Sequence, residues 1–102
     1  YCDGVKNLKI SQAQTGKVVE RKPEWKVSIL NDCMCSRFNI QLSCSNFQTI
    51  EKIDPWVLDR INDSQCAVNK GTSIQGHSTF NFTYAWDTAY PFRLLDAQFA
   101  CS

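Results

Sequence analysis

Apolar and polar residues alternate along most of this chain. Trp25, Val27 and Ile29 point to one side while Lys26, Ser28 and Leu30 point to the other, and Phe38, Ile40, Leu42 and Cys44 repeat the pattern against Asn39, Gln41 and Ser43. A period of two marks half-buried strands. The strongest run sets Phe80, Phe82, Tyr84 and Trp86 against Asn81, Thr83 and Ala85, with the aromatic content that suits a pleated surface. Leu8-Lys9-Ile10-Ser11, Cys66-Ala67-Val68 and the region from Phe92 to Cys101 supply further strands. Turn chemistry stands between them at Gln14-Thr15-Gly16, Asn69-Lys70-Gly71 and Gly76-His77.

One segment departs from period two. Asp54 fits a helix N-cap, Pro55 fits the first helical position, and Ile53 with Leu58 fits a hydrophobic staple, so one short helical turn is predicted near 54–60. The pattern as a whole predicts an all-β chain: a small antiparallel β-sandwich with one short helical turn, forming a single domain over 1–102. Trp25, Val27, Ile29, Phe38, Ile40, Leu42, Phe80, Phe82 and Tyr84 are its predicted inward faces.

Composition adds a constraint that periodicity does not. Six cysteines in 102 residues, Cys2, Cys33, Cys35, Cys44, Cys66 and Cys101, read as a framework of three disulfides in a secreted domain. A chain of this length buries proportionally little surface, and each bridge contributes on the order of 2–4 kcal/mol. Cys33 and Cys35, with one residue between them, are not expected to pair with each other. The sequence suggests one pairing, Cys44 with Cys66 across the helical turn between them. Zinc and redox sites favour C-x-x-C, and the close pair here is Cys33-Met34-Cys35, so neither metal nor any other cofactor is expected. Asn62-Asp63-Ser64 and Asn81-Phe82-Thr83 are acceptor triplets for N-glycosylation, in keeping with an extracellular location.

Eleven basic against ten acidic residues leave a net charge of +1, which provides no field for gathering nucleic acid. No apolar run approaches the roughly 18 residues that would mark membrane insertion. Catalytic signatures are equally thin. His77 lies beside a turn glycine with no nucleophile elbow nearby and reads as an exposed turn residue, while Glu51 with Asp54 or Asp59 reads as caps and solvated charge rather than a glycosidase pair. The chain is therefore expected not to be an enzyme. Recognition surfaces remain. Lys17, Arg21 and Lys22 form a basic hairpin, and Trp86 and Tyr90 sit in the loop Trp86-Asp87-Thr88-Ala89-Tyr90-Pro91, where aromatic anchors stand beside polar groups. Rings at Trp56, Trp86, Tyr90 and Phe92 lie near element ends and offer an alternative use as a stacking platform for sugars.

In their order and cysteine spacing these motifs resemble a family. Cys2, the Thr15-Gly16 turn, Pro23-x-Trp25-x-Val27-x-Ile29-x-Asn31-x-Cys33, Leu42-x-Cys44-x-x-Phe47, Asp54-Pro55, Cys66-x-Val68-Asn69-x-Gly71, Phe82-x-Tyr84-Ala85-Trp86-Asp87, Tyr90-Pro91-Phe92 and Ala100-Cys101-Ser102 are similar to the tapetum determinant-like secreted proteins of plants. The resemblance implies a secreted, apoplastic signalling protein whose partner is the ectodomain of a leucine-rich-repeat receptor kinase, in development or reproduction. Cys33-Met34-Cys35 is tighter than the cysteine loop of the family's founding branch, and Tyr84-Ala85-Trp86-Asp87 resembles the broader set of homologues. A carbohydrate-binding module that takes cell-wall polysaccharide is the alternative.

Overall fold

The predicted alternation becomes seven strands among the described residues: β1 (Leu8–Val19), β2 (Lys22–Asn31), β3 (Ser36–Ser43), β4 (Leu58–Arg60), β5 (Gln65–Val68), β6 (Thr79–Ala85) and β7 (Leu94–Ala100). The structure, a computed structural model, describes residues 2–101. Tyr1 and Ser102, the latter closing the Ala100-Cys101-Ser102 motif, lie outside the described residues. One antiparallel sheet runs in the order β1-β2-β6 and the other in the order β4-β5-β3-β7.

The core fills the space between the sheets. Val27, Ile29, Phe82 and Tyr84 come from the three-stranded sheet and meet Ile40, Leu42, Cys66, Val68 and Ala97 from the four-stranded one, with Trp25 and Phe80 packed partly buried against them. Burying the inward row of each strand removes apolar surface from water at about 25 cal/mol per Å², the force that fixes strand register. A slip of one residue would turn Val27 and Ile29 to solvent.

Phe38 departs from the predicted inward row. Arg37 is wholly buried in its place, Phe38 is only partly buried and lies outside the core, and inward facing resumes at Ile40. The cause is a bulge: the β3–β7 register shifts between Phe38 and Gln41, and Asn39 takes a left-handed φ of 51°. An extra residue in the strand exchanges the faces on either side of it.

The helical turn near 54–60 is not formed. Asp54 uses Oδ1 to accept the Trp56 N–H at 2.9 Å and its carbonyl to accept the Val57 and Leu58 N–H groups at 2.8 and 3.1 Å, and the chain then enters β4. Asp-Pro starts a tight turn as readily as a helix, and pairing of Leu58–Arg60 with β5 ends it after one turn. Gln14-Thr15-Gly16 likewise proves to be a bulge within β1, with Gly16 at φ 92°, while the hairpin turn itself falls at Glu20 and Arg21.

The cysteines pair as Cys2–Cys33, Cys35–Cys101 and Cys44–Cys66, with Cα separations of 5.9, 4.6 and 6.0 Å. The suggested Cys44–Cys66 pair is present, and Cys33 and Cys35 bond elsewhere. Around the first two bridges, buried polar groups fasten the chain. Asn31 Nδ2 lies 2.8–3.0 Å from the carbonyls of Cys35, Ile74 and Gln75. Arg37 donates to the carbonyls of Lys6 (2.8 Å), Gln98 (3.2 Å) and Gly4, tying the N-terminal segment to β7. A side chain at position 76 would place its Cβ 2.5 Å from the Met34 carbonyl oxygen, so only glycine lets this turn approach the Cys33-Met34-Cys35 loop.

Candidate functional site

The basic hairpin and the aromatic loop, far apart in sequence, meet at one end of the sandwich. Strand β2 begins at Lys22, whose Nζ lies 2.8 Å from Asp87 Oδ1 and 5.1 Å from the centre of the Trp86 ring. Each contact is modest at a surface, about 0.5–1 kcal/mol. Together with Trp25 Nε1 donating to the Trp86 carbonyl at 3.2 Å and Trp86 N–H donating to the Pro23 carbonyl at 3.3 Å, they join the two elements into one surface.

The tip of that surface is held at a cost. Glu20 and Arg21 have φ values of 46° and 71°, the left-handed pair that a two-residue hairpin turn requires and that glycine or asparagine usually supplies. Left-handed backbone costs about 1–2 kcal/mol for an ordinary residue. Arg21 and Lys17 are exposed, and among the described residues neither forms a salt bridge.

Beside the tip, Trp86 and Tyr90 are only partly exposed and both pack against the core. Tyr90 donates its hydroxyl to the Ser45 carbonyl at 2.7 Å, and its N–H donates to Tyr84 Oη at 2.7 Å. Gln12 closes the network: its Nε2 donates to the Tyr90 carbonyl at 2.6 Å and its Oε1 accepts from Tyr84 Oη. Burial pushes the Tyr84 phenol up, and the bond from the Tyr90 backbone pulls it partly back. The rings of Phe47, Tyr84, Tyr90 and Phe92 stack edge-on or tilted with centroids 4.7–5.7 Å apart. Tyr90 therefore positions the loop. A cleft of about 530 Å³ opens next to Trp86, between Phe47, Thr49, Ile53, Leu58 and Arg60.

A carboxyl pair underlies the same end. The segment after β3 returns across β6, where Ile50 N–H donates to the Ala85 carbonyl at 2.9 Å and Ala85 N–H donates to Thr49 Oγ1 at 3.0 Å. This brings the Glu51 carboxyl against that of buried Glu24, which also accepts from Thr15 Oγ1 at 2.7 Å. The Thr15 hydroxyl, then the bond with Glu51, hold Glu24 below the usual carboxylate range. Burial first, then Glu24, push Glu51 above it. Sequence reasoning weighed Glu51 against Asp54 and Asp59 and missed Glu24, because the pairing is made by a crossing segment and no local spacing announces it.

The other singled-out residues lie elsewhere. Trp56 is 65% exposed with Lys70 Nζ 5.9 Å from its ring, whereas Phe92 is buried in the core. Exposed His77 sits in a turn, its Nδ1 3.8 Å from Asp32 Oδ1. Asn62 and Asn81 are both exposed. The sulfurs of Cys2, Cys35 and Cys101 lie within 4.8 Å of one another, but each is spent in a disulfide and offers no thiolate to a metal.

Residues 4–102 match the protein family described as Tapetum determinant 1, C-terminal. Among curated relatives, TPD1 protein homolog 1B of Oryza sativa subsp. japonica is 32% identical over 80 residues, covering 78% of this chain and 46% of its own. TPD1 protein homolog 1 of Arabidopsis thaliana is 28% identical over 87 residues, 83% of this chain and 49% of its own. TPD1 protein homolog 1A of Oryza sativa subsp. japonica is 23% identical over 108 residues, 98% of this chain and 47% of its own. The chain spans about half the length of the curated relatives it matches. No solved structure matches.

Proposed function

Because the chain belongs to the Tapetum determinant 1 family, we propose that it is a secreted, non-enzymatic signalling ligand that docks on the ectodomain of a plant leucine-rich-repeat receptor kinase. The observation that carries the reading is the junction of Lys22 with Asp87 and Trp86, which makes the basic hairpin and the aromatic loop a single rigid surface. Preorganisation of this kind reduces the ordering entropy lost on docking. Arg21, with no ion pair among the described residues, and Lys17, exposed within the field of Glu24 and Glu51, are its cations for an acidic partner surface, and the strained turn beneath Arg21 is the kind of outlier that selection for a side chain's position explains. Trp86 and its adjoining cleft supply the apolar anchor.

A binding screen of the oxidised protein against plant receptor ectodomains tests the reading. Arg21→Ala should weaken a hit by about tenfold or more, the effect of removing a hot-spot residue. A hit unchanged by Arg21→Ala and Lys17→Ala would keep the function and refute the surface. Binding to insoluble wall polysaccharide, with no ectodomain bound, would replace the reading with the carbohydrate alternative. That alternative rests chiefly on Trp56, since Trp86 and Tyr90 are engaged in holding the loop.

A further inference from the structure

The two acceptor triplets differ in ways the sequence does not reveal. Asn62 lies in the turn between β4 and β5, and both its amide oxygen and its amide nitrogen are bonded. Its Oδ1 accepts from Ser64 N–H at 2.9 Å, Gln65 N–H at 3.0 Å and Ser64 Oγ at 3.2 Å, while Nδ2 donates to Gln65 Oε1 at 2.8 Å. The serine hydroxyl that completes the triplet is thus tied back onto the asparagine it would serve. A sugar on Nδ2 would leave one N–H for the Gln65 contact and crowd a turn whose amide is already bonded on both sides.

Asn81 has none of these engagements. It sits on β6, exposed, with no side-chain hydrogen bond or ion pair among the described residues. Strand alternation sends Phe82 into the core at 5% exposure and points Asn81 and Thr83 to the same outer face, where the Thr83 hydroxyl bonds to the Glu24 and Glu51 carboxyls and the Asn81 amide is left open. The residues directly opposite Asn81 across the sheet are small, with Lys26 and Leu30 flanking them. Asn81 pairs with Ser28 of β2, and Ser28 pairs with Ser11 of β1, a row of short hydroxyl side chains across the whole sheet. A shallow groove of about 540 Å³ runs over Ser11, Ala13, Lys26 and Ser28.

From this contrast we infer that Asn81, and not Asn62, carries an N-linked glycan, whose first sugars lie along the Ser28–Ser11 row on the outer face of the three-stranded sheet. The inference rests on passage through the secretory pathway, which the functional reading also assumes, but not on any receptor. The donor is an oligosaccharide on a lipid pyrophosphate. Asn81 Nδ2 forms a bond to the anomeric carbon as that carbon's bond to the pyrophosphate oxygen breaks; the pyrophosphate leaves with the electron pair and one amide proton is released. No oxidant or reductant is needed. The attachment also leaves the hairpin tip open, because Ser28 lies roughly 20 Å along β2 from Lys22 at about 3.3 Å per residue.

Secretion of the chain from a eukaryotic cell line, followed by glycopeptide mapping and intact mass before and after enzymatic glycan release, tests this. The wild type and Asn62→Gln should each carry one glycan, at Asn81, and Asn81→Gln and Thr83→Ala should carry none. Should either variant fail to be secreted, the wild-type map alone decides the site. Occupancy of Asn62 equal to or above that of Asn81, or no glycan at either position in secreted protein, would overturn the assignment. Hydrogen exchange of amides 11–15 and 26–28 should be slower with the glycan than after its release, and identical exchange would overturn its placement on the row. Failure of the receptor screen, with these results intact, would count against the functional reading alone.

Discussion

Strand β2 starts at Lys22 among aromatic rings and ends at Asn31 against two disulfides, and different chemistry secures each end. At the Asn31 end, Cys2–Cys33 and Cys35–Cys101 cross-link the chain, and Arg37 and Asn31 are buried with carbonyls as their partners. At the Lys22 end no bridge joins the hairpin to the loop. Edge-on rings, one tyrosine network, one surface ion pair and a carboxyl pair hold it together. The first end is cross-linked covalently across long stretches of chain. At the second, the Cys44–Cys66 bridge lies within the four-stranded sheet beside the Trp86 cleft, and the hairpin and loop meet only through contacts of about 1 kcal/mol each, which evolution can alter one at a time without losing the fold. The proposed recognition surface lies at the second end, where single contacts can change while the scaffold stays.

The contrast predicts its own order of effects, beginning at the cross-linked end. Replacing Cys35 and Cys101 together by serine releases a bridge spanning 66 residues of sequence. It should cost about 4 kcal/mol, read as a lower urea midpoint against the oxidised wild type. A loss no larger than that of a surface substitution would show that the sheets, and not the bridge, hold this end. Arg37→Met should follow at about 3 kcal/mol, because the carbonyls of Gly4, Lys6 and Gln98 lose a charged donor in a buried setting. Amide exchange in residues 3–7 should accelerate first. Uniform acceleration over the whole chain would mean that Arg37 supports the core and not the N-terminal tie.

The aromatic end gives smaller numbers. Tyr84→Phe keeps the ring contacts and removes only the hydroxyl shared by Gln12 and the Tyr90 N–H, so it should cost about 1–2 kcal/mol. Its signature is local: the Tyr90 amide exchanges faster while those of β3 and β5 do not. If all of them change together, the two ends are energetically one unit and the comparison fails.

How much of this was legible in the sequence depends on whether a feature is local. Strands such as 25–29 and 80–84 announce themselves because alternation and burial act on neighbouring residues. Cys44 and Cys66 do pair, although the helical turn expected between them is not formed. Phe38 misled because a single left-handed Asn39 reverses the faces, and arginine at position 37 carries no mark of burial when its partners are backbone carbonyls. Asp54-Pro55 misled because one Asx-type turn satisfies the same preferences as a helix cap. The hairpin and the loop were each readable as candidates. Their junction through Lys22 was not, since only sheet topology sets the first residue of β2 beside the chain leaving β6.

The smallest expected effect concerns protons. Glu24, held low by the Thr15 hydroxyl and by Glu51, adds stability that is present above its unfolded value of 4.5 and disappears as pH falls through its lower folded value. Glu51, pushed up by burial and by Glu24, behaves oppositely: its contribution is complete below 4.5 and is lost as pH rises through its higher folded value. The pair is thus best satisfied with a single shared proton, and the segment that docks on Ala85 is weakened once both carboxyls ionise. Glu51→Gln keeps a neutral donor against Glu24 while removing the second charge. Melting temperatures across pH 4–8 should therefore fall less with rising pH in Glu51→Gln than in the wild type, and the two should converge toward pH 4.5. The difference should be confined to the aromatic end, seen as slower exchange of the Ile50 amide in the variant at neutral pH. Parallel melting curves would remove the carboxyl pair from the contacts that make this end adjustable, leaving the rings, the tyrosine network and the Lys22 junction to account for it.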